Sequence, residues 1–208
     1  MNEEKPKPSV WNDRYAGDDY VFGTEPNDFL KSVAGEISSG AKVLCLADGE
    51  GRNGVYLAQQ GHQITSVDMS SVGLEKAEKL ATANKVALTT IQADLAKYGL
   101  GEAQWDCVVS IFFHIPPKLQ QIIYPRIIRS LKPGGLLILE SYTPEQLNFG
   151  TGGPPVAELM LTLELARSGF GELEFLHVEE LERNVVEGVG HTGRAAVLQL
   201  LARKSESS

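Results

Sequence analysis

From Lys42 onward the chain alternates short continuous apolar runs with stretches whose apolar residues recur at helical spacing. KVLCLA reads as a strand, RNGVYLAQQ as a helix, HQITSVD as a strand and SVGLEKAEKLATAN as a helix. The alternation continues through strand-like LTTIQAD, a short helical or irregular LAKYGLG, strand WDCVVSIFF, helix PPKLQQIIYPRIIRSL and strand GLLILESY. Pro125 interrupts the helical spacing of Ile122, Ile123, Ile127, Ile128 and Leu131, which predicts a kink or two shorter pieces. After Tyr142, TPEQLNFGTGGPP reads as a long loop of the kind that forms lids or functional elements, and a short helix is expected near ELMLTLELA. Two strand-like runs, LEFLHVEELERNVV and RAAVLQLLARK, follow, and the tight GVGHTG between them requires them to be antiparallel. Ahead of Lys42 lies an irregular arm, WNDRYAGDDYVFGTEP. A short amphipathic helix follows it, with Phe29, Leu30, Val33 and Ile37 on one side and Pro26 in its first turn.

This order predicts an α/β fold, a doubly wound, mostly parallel seven-stranded sheet that is covered on both faces and ends in an antiparallel hairpin. In such sheets ligands sit outside the carboxyl ends of the strands, near the point where strand order reverses. With 208 residues and 42% hydrophobic composition there is material for one ordinary core. One domain is therefore expected over residues 10–204, its first part (10–40) being the arm, helix and lid, between disordered tails at 1–9 and 205–208. A formal net charge of −8 argues against a nucleic-acid partner, which would need a basic face, and favours a small-molecule partner. No apolar window is long enough to span a membrane, and MNEEKPKPS has acids and prolines where a signal peptide needs an apolar run. A cytoplasmic location is expected. Cys45 and Cys107 both sit inside apolar runs, as structural unoxidised cysteines do.

Candidate chemistry begins at VLCLADGEGRNGVYLA. Gly49, Gly51 and Gly54 match G-x-G-x-x-G, and Asp68 closes the next strand nineteen positions after Gly49, near the spacing of a ribose-binding acid. A tight turn that brings backbone close to a nucleoside, with an acid accepting two ribose hydroxyls, serves a nicotinamide or flavin dinucleotide and S-adenosylmethionine equally well. By itself the loop leaves an NAD(P)-dependent oxidoreductase open, and a plain connecting turn is the bland alternative. Asp94, in QADL at the end of the third strand, is placed to accept a proton from an adenine amino group, with its neighbours framing the ring.

WDCVVSIFFHIPP followed by LKPGGLLILESY, and the terminal hairpin, resemble class I methyltransferases. From about Trp11 to Lys204 the chain is similar to small bacterial S-adenosylmethionine-dependent methyltransferases related to the tellurite-resistance and thiopurine methyltransferases. WNDRY, LADGEGRN, SVDMS, KPGG and ESYTPEQL carry the resemblance. KPGG and the glycine loop mark the superfamily, whereas the arm, GTGGPP and GHTGRAA mark a narrower subgroup. The resemblance implies a Rossmann-like fold, S-adenosyl-L-methionine as cofactor, and methyl transfer to a small-molecule acceptor, with thiols and chalcogens as candidates. It also implies a cofactor site of Arg14, Asp48, Gly49, Gly51, Arg52, Asn53, Asp68, Met69, Asp94, Leu95 and Ser110. One departure stands out. The class commonly carries an acid at the position of Cys45 to serve the methionine amine, so either Asp48 or a backbone carbonyl takes that role here, or Asp48 only caps the turn. A non-catalytic S-adenosylmethionine-binding protein would keep this pocket and lack acceptor-side groups.

Methyl transfer from a sulfonium is an in-line displacement, for which alignment supplies about 7–11 kcal/mol in favourable cases. A soft thiolate or chalcogenide then needs little beyond deprotonation, whereas a hydroxyl or amine needs a positioned base. The candidates for catalytic roles are His114 after the fourth strand, Tyr142 at the end of the fifth, and His191 in the hairpin turn. The competing readings are a loop hydrogen bond, a packing residue and a structural histidine, respectively. Arg14 is placed either to steer an anionic acceptor or to contact the cofactor. Trp11, Tyr15, Tyr20 and Phe22 are expected to pack the arm onto the body, with one or two of them also covering the cofactor, and His177 reads as an ordinary, partly buried strand histidine. Asp18 and Asp19 lack a second ligand cluster, so no metal is expected.

Overall fold

The computed structural model describes residues 10–206. The expected tail at 1–9, and the last two residues of the one at 205–208, lie outside that range. Seven strands form one sheet: β1 (Lys42–Leu46), β2 (Gln63–Asp68), β3 (Thr89–Gln92), β4 (Trp105–Ile111), β5 (Leu131–Tyr142), β6 (Glu174–Glu187) and β7 (His191–Arg203). Their order is β3-β2-β1-β4-β5-β7-β6. The first five are parallel, with Cys45 facing Ser66 on one side and Val109 on the other. β7 runs antiparallel to both β5 and β6. This is the doubly wound sheet with a terminal hairpin that the apolar pattern predicts.

Alternate residues of each central strand feed opposite faces. Leu44, Leu46, Val108, Leu137 and Leu139 pack with Ile123 and Ile127 of α5 (Pro117–Ser130) and Phe170 of α6 (Leu163–Gly169). Val43, Cys45, Cys107, Val109 and Ile138 pack with Phe29 and Leu30 of α2 (Asp28–Val33) and Leu57 of α3 (Arg52–Gln59). Because both faces are covered, the strands are apolar throughout rather than alternating. α4 (Ser71–Ala83) starts where the Ser70 hydroxyl accepts from the Gly73 amide, a side-chain cap.

Several local expectations are corrected. Pro125 does not split its helix: α5 is continuous through it, and Pro125 lies on the exposed side. Pro26 precedes α2, whose N-cap is Asn27. The arm is not wholly irregular, since α1 spans Val10–Tyr15. The helix expected near ELMLTLELA begins later, at Leu163, after a single 3₁₀ turn at Ala157–Leu159. His191 is the first residue of β7 rather than part of the turn.

Strand order reverses between β1 and β4, and the chain is strained where those two strands end. Ala47 (φ 50°) and Phe112 (φ 52°) are non-glycine residues in left-handed conformation, a cost that tends to collect at functional sites. Gly51, at φ 85°, lets α3 approach α4: a Cβ there would fall 2.4 Å from the Ala77 Cβ. Gly51→Ala combines overpacking with a left-handed alanine and should destabilise the fold by about 2–5 kcal/mol. Urea denaturation checks this, and a midpoint equal to the parent's would overturn it.

Candidate functional site

A cavity of about 460 Å³ opens at the carboxyl edge of the sheet, over the point where strand order reverses. That lies within the roughly 300–1,000 Å³ typical of small-molecule sites. Ala47 and Phe112, the two strained strand ends, both line it.

One side of the cavity carries a carboxylate from each of three successive strand ends. Asp68, at the end of β2, accepts from the Gly49 amide (2.9 Å) and the Ser70 amide (2.8 Å), which tie the glycine loop to the start of α4. Burial raises its pKa against the pull of these amides. Asp48, just after β1, accepts from the Ser66 hydroxyl at 2.5 Å. Burial pushes Asp48 up to about 7, with Ser66 and the Gly54 amide opposing. Asp94, just after β3, accepts from the Ala96 amide at 2.9 Å. Met69 and Leu95 line the same side, as does Gly49, where a Cβ would fall 2.6 Å from the Tyr15 hydroxyl. Ser110 is not in the wall: it lies inside β4, between Leu46 and Leu139. Gly51 is also outside it, at the packing contact of α3 with α4. Cys45 is buried in the core on the α2 and α3 face, and its thiol is held well above its ordinary pKa, chiefly by burial.

Arg52 and Asn53 line the cavity, but their polar ends are engaged by protein. Arg52 donates to the Glu25 carbonyl (3.2 Å) and forms a buried ion pair with Glu187 (2.5 Å), while Asn53 accepts from the Asn27 amide (2.9 Å). Glu50, between the first two glycines, pairs with Lys76 at 2.6 Å and accepts from the Val21 amide at 2.8 Å. Lys76 also donates to the carbonyls of Tyr15, Gly17 and Asp19. The sequence reading missed Glu50, Lys76, Asn27 and Glu187. Lys76 had a visible signal, a charge on the apolar stripe of Gly73, Leu74, Ala77 and Leu80. Glu187 had none, being one of many acids in its strand.

The remaining wall combines aromatic and imidazole rings with aliphatic residues such as Ile111, Ile115 and Leu119. Phe112, His114 and His191 line the cavity. His191 meets Phe112 edge-on at 4.9 Å, and its Nδ1 lies 3.9 Å from Glu187 Oε2, beyond hydrogen-bond length. His114 donates from Nδ1 toward the Leu159 carbonyl at 3.3 Å, and burial lowers it to about 4, so it is neutral at neutral pH. Tyr142 is fully buried outside the wall, stacked on Phe112 at 4.5 Å, and its hydroxyl has no hydrogen-bond partner. The structure thus brings all three acceptor-side candidates together but exposes only the histidines. Arg14 lies at the cavity's arm side, 5.2 Å from the ring centres of both Trp11 and Phe22. Among the described residues no group of three or more His, Cys, Asp or Glu is arranged to hold a metal ion, and no helix is long and apolar enough to cross a membrane.

Residues 43–135 match the family model described as a methyltransferase domain. An uncharacterized methyltransferase of Synechocystis sp. is 36% identical over 128 residues, which cover 60% of this chain and 57% of that protein. The chain spans little more than half the length of the curated relatives it matches. Two solved structures share the fold. One, from work on the conversion of a disulfide bond into a thioacetal group during echinomycin biosynthesis, has a TM-score of 0.76 at 18% identity, covering 96% of this chain and 92% of that one. The other, TehB from Haemophilus influenzae, has a TM-score of 0.68 at 20% identity, covering 86% and 62%.

The raised pKa of Asp48 has a definite sign. The folded state keeps this proton to about pH 7 whereas the unfolded chain releases it near 4, so stability falls as pH rises through that window. Asp48→Asn should match the parent in denaturation midpoint at pH 4 and exceed it at pH 8. Parallel curves at the two pH values would overturn the assignment.

Proposed function

We propose, on the premise that this chain carries a class I S-adenosylmethionine-dependent methyltransferase domain, that it methylates a small molecule at a soft nucleophile, a thiol or another chalcogen. One observation carries the reading. The cavity sets three carboxylates, at the ends of β1, β2 and β3, against a wall of Phe112, His114 and His191.

The first side fits the cofactor. Asp68 would accept the ribose hydroxyls, and Asp94 would accept from the adenine amino group, with Met69 and Leu95 against the ring. Asp48 would face the methionine ammonium, which makes up for the acid that Cys45 replaces and favours its ionised form. The Gly49 position admits no side chain, because Tyr15 already closes on it. Arg14, Trp11 and Phe22 would cover the site from the arm. Arg52 and Asn53 would act by holding that arm rather than by touching the cofactor. Bound there, S-adenosylmethionine supplies an electrophilic methyl group on a positively charged sulfur.

The acceptor end favours an enzyme over a binding protein, since two uncharged or readily uncharged imidazoles and an aromatic ring line it. Low polarity there disfavours a cationic amine acceptor, and the net charge of −8 disfavours nucleic acid.

Asp68→Ala should weaken S-adenosylmethionine binding at least tenfold, because charge-assisted bonds are worth about 1.5–3 kcal/mol each. Calorimetry measures this, and unchanged affinity in a folded variant would refute the cofactor pose. His114→Ala and His191→Ala should each lower turnover by less than about a hundredfold, the low end of general-base effects, with much of the loss recovered at higher pH for His191→Ala. A thousandfold loss without pH rescue, or activity on amines alone in a panel of thiol, selenol, phenol and amine acceptors, would refute the soft-nucleophile reading.

A further inference from the structure

Each histidine at the acceptor end has one buried ring nitrogen without a hydrogen-bond partner, Nε2 in His114 and Nδ1 in His191. Their settings differ. His114 directs its Nδ1 to the Leu159 carbonyl, and its Nε2 is enclosed, so it presents no accessible lone pair. His191 lines the cavity with its Nδ1 buried, and Glu187, directly across the hairpin, lies 3.9 Å from that nitrogen. Glu187 is itself held from three directions, by Arg52 Nη2 at 2.5 Å, Asn27 Nδ2 at 2.8 Å and Arg183 Nη2 at 3.3 Å. Burial alone would raise its pKa, but His191, Arg52, Asn27 and Arg183 together hold it at about 2, so the carboxylate is an anion throughout the working range.

The His191 ring has little freedom. Phe22, Phe112 and Tyr142 surround it at centroid distances of 4.5, 4.9 and 5.3 Å, and a Cβ at Gly152 of the loop after β5 would fall 3.0 Å from its Cδ2. The charged and titratable groups facing it are Arg14 from α1, Arg52 from α3, His114 after β4, Tyr142 from β5 and Glu187 from β6. Burial lowers its pKa, Glu187 opposes, and Arg52 and Arg14 add to the lowering. The 3.9 Å separation from Glu187 is of the kind that tightens when a substrate fills a site.

We propose that Glu187 is the positioning residue of a His191–Glu187 dyad: it keeps the imidazole proton on Nδ1, so that Nε2 is the base that takes the acceptor's proton. The proposal rests on the function given above. For a thiol acceptor, the S–H bond breaks with its proton going to Nε2. Its electron pair forms the new S–CH₃ bond as the methyl's bond to the sulfonium breaks, and that bonding pair stays with the departing thioether, S-adenosylhomocysteine. Nε2 then returns the proton to solvent. The dyad matters most for acceptors that are still protonated at neutral pH.

Two measurements on the full chain test this. Nitrogen-15 NMR should find His191 neutral at pH 7.5 with its proton on Nδ1, and Glu187→Gln should lower the His191 pKa and weaken that preference. In assays at pH 7, His191→Ala should lower turnover about tenfold or more with 2-phenylethanethiol, an alkyl thiol mostly protonated there, and distinctly less with the more acidic thiophenol. Glu187→Gln should show the same order of acceptors. A proton on Nε2 in the parent protein, or equal losses with both thiols, overturns the dyad. The second outcome would leave Glu187 as a purely structural partner of Arg52. If the parent methylates neither thiol, the soft-acceptor function falls, and the NMR tautomer alone then upholds or overturns the Glu187 positioning role.

Discussion

Glu50 and Arg52 stand on either side of Gly51, and each carries a buried ion pair to a distant part of the chain, Glu50 to Lys76 of α4 and Arg52 to Glu187 at the end of β6. The arm is threaded between them. Its backbone donates to Glu50 and accepts from Lys76 and Arg52, the Asn27 amide that follows it donates to Asn53, and the Val21 carbonyl accepts from the Gly190 amide of the hairpin turn. Buried pairs of this kind add little net stability over an apolar contact, but losing one partner costs about 3–5 kcal/mol. Their effect is geometric: one short loop fixes the arm, α4 and the hairpin around the same cavity.

Asp48 in the cavity wall and Glu187 behind His191 show how partners decide charge. Asp48 and Glu187 are both pressed upward in pKa by burial. Asp48 still rises to about 7 although the Ser66 hydroxyl, the Gly54 amide and Arg52 oppose burial, whereas His191, Arg52, Asn27 and Arg183 bring Glu187 down to about 2. Asp48 is therefore poised to respond to a cation placed beside it, and Glu187 is a fixed anion. A responsive acid at the cofactor end and a constant one behind His191 suit the different tasks proposed for them.

The acceptor wall is assembled from segments far apart in the chain. Phe112 and His114 follow β4, Tyr142 closes β5 and His191 opens β7. The loop at Gly152 and Gly153 passes so close that a Cβ at Gly153 would fall 2.8 Å from the Tyr142 ring. Glycine is required there for the loop to cover the rings, since both positions have positive φ as well as this close approach.

Much of this was legible in the chain. Strands, helices, hairpin and the three strand-end acids follow from local periodicity and from glycine spacing, because those features act over a few residues. The sequence was less informative wherever solvent or a distant partner decides. Pro125 sits on the exposed side of a continuous helix, Ser110 is paired inside β4, and Tyr142 is sealed behind Phe112. Arg52 reads from its motif as a cofactor ligand, yet its partner is Glu187, 135 positions along the chain; Asn27 meets the same carboxylate across 160. By itself the sequence determined the alternation of strands and helices and the acids at their ends. Only the tertiary structure decided which charges meet, because an ion pair between distant segments leaves no periodic trace in either one.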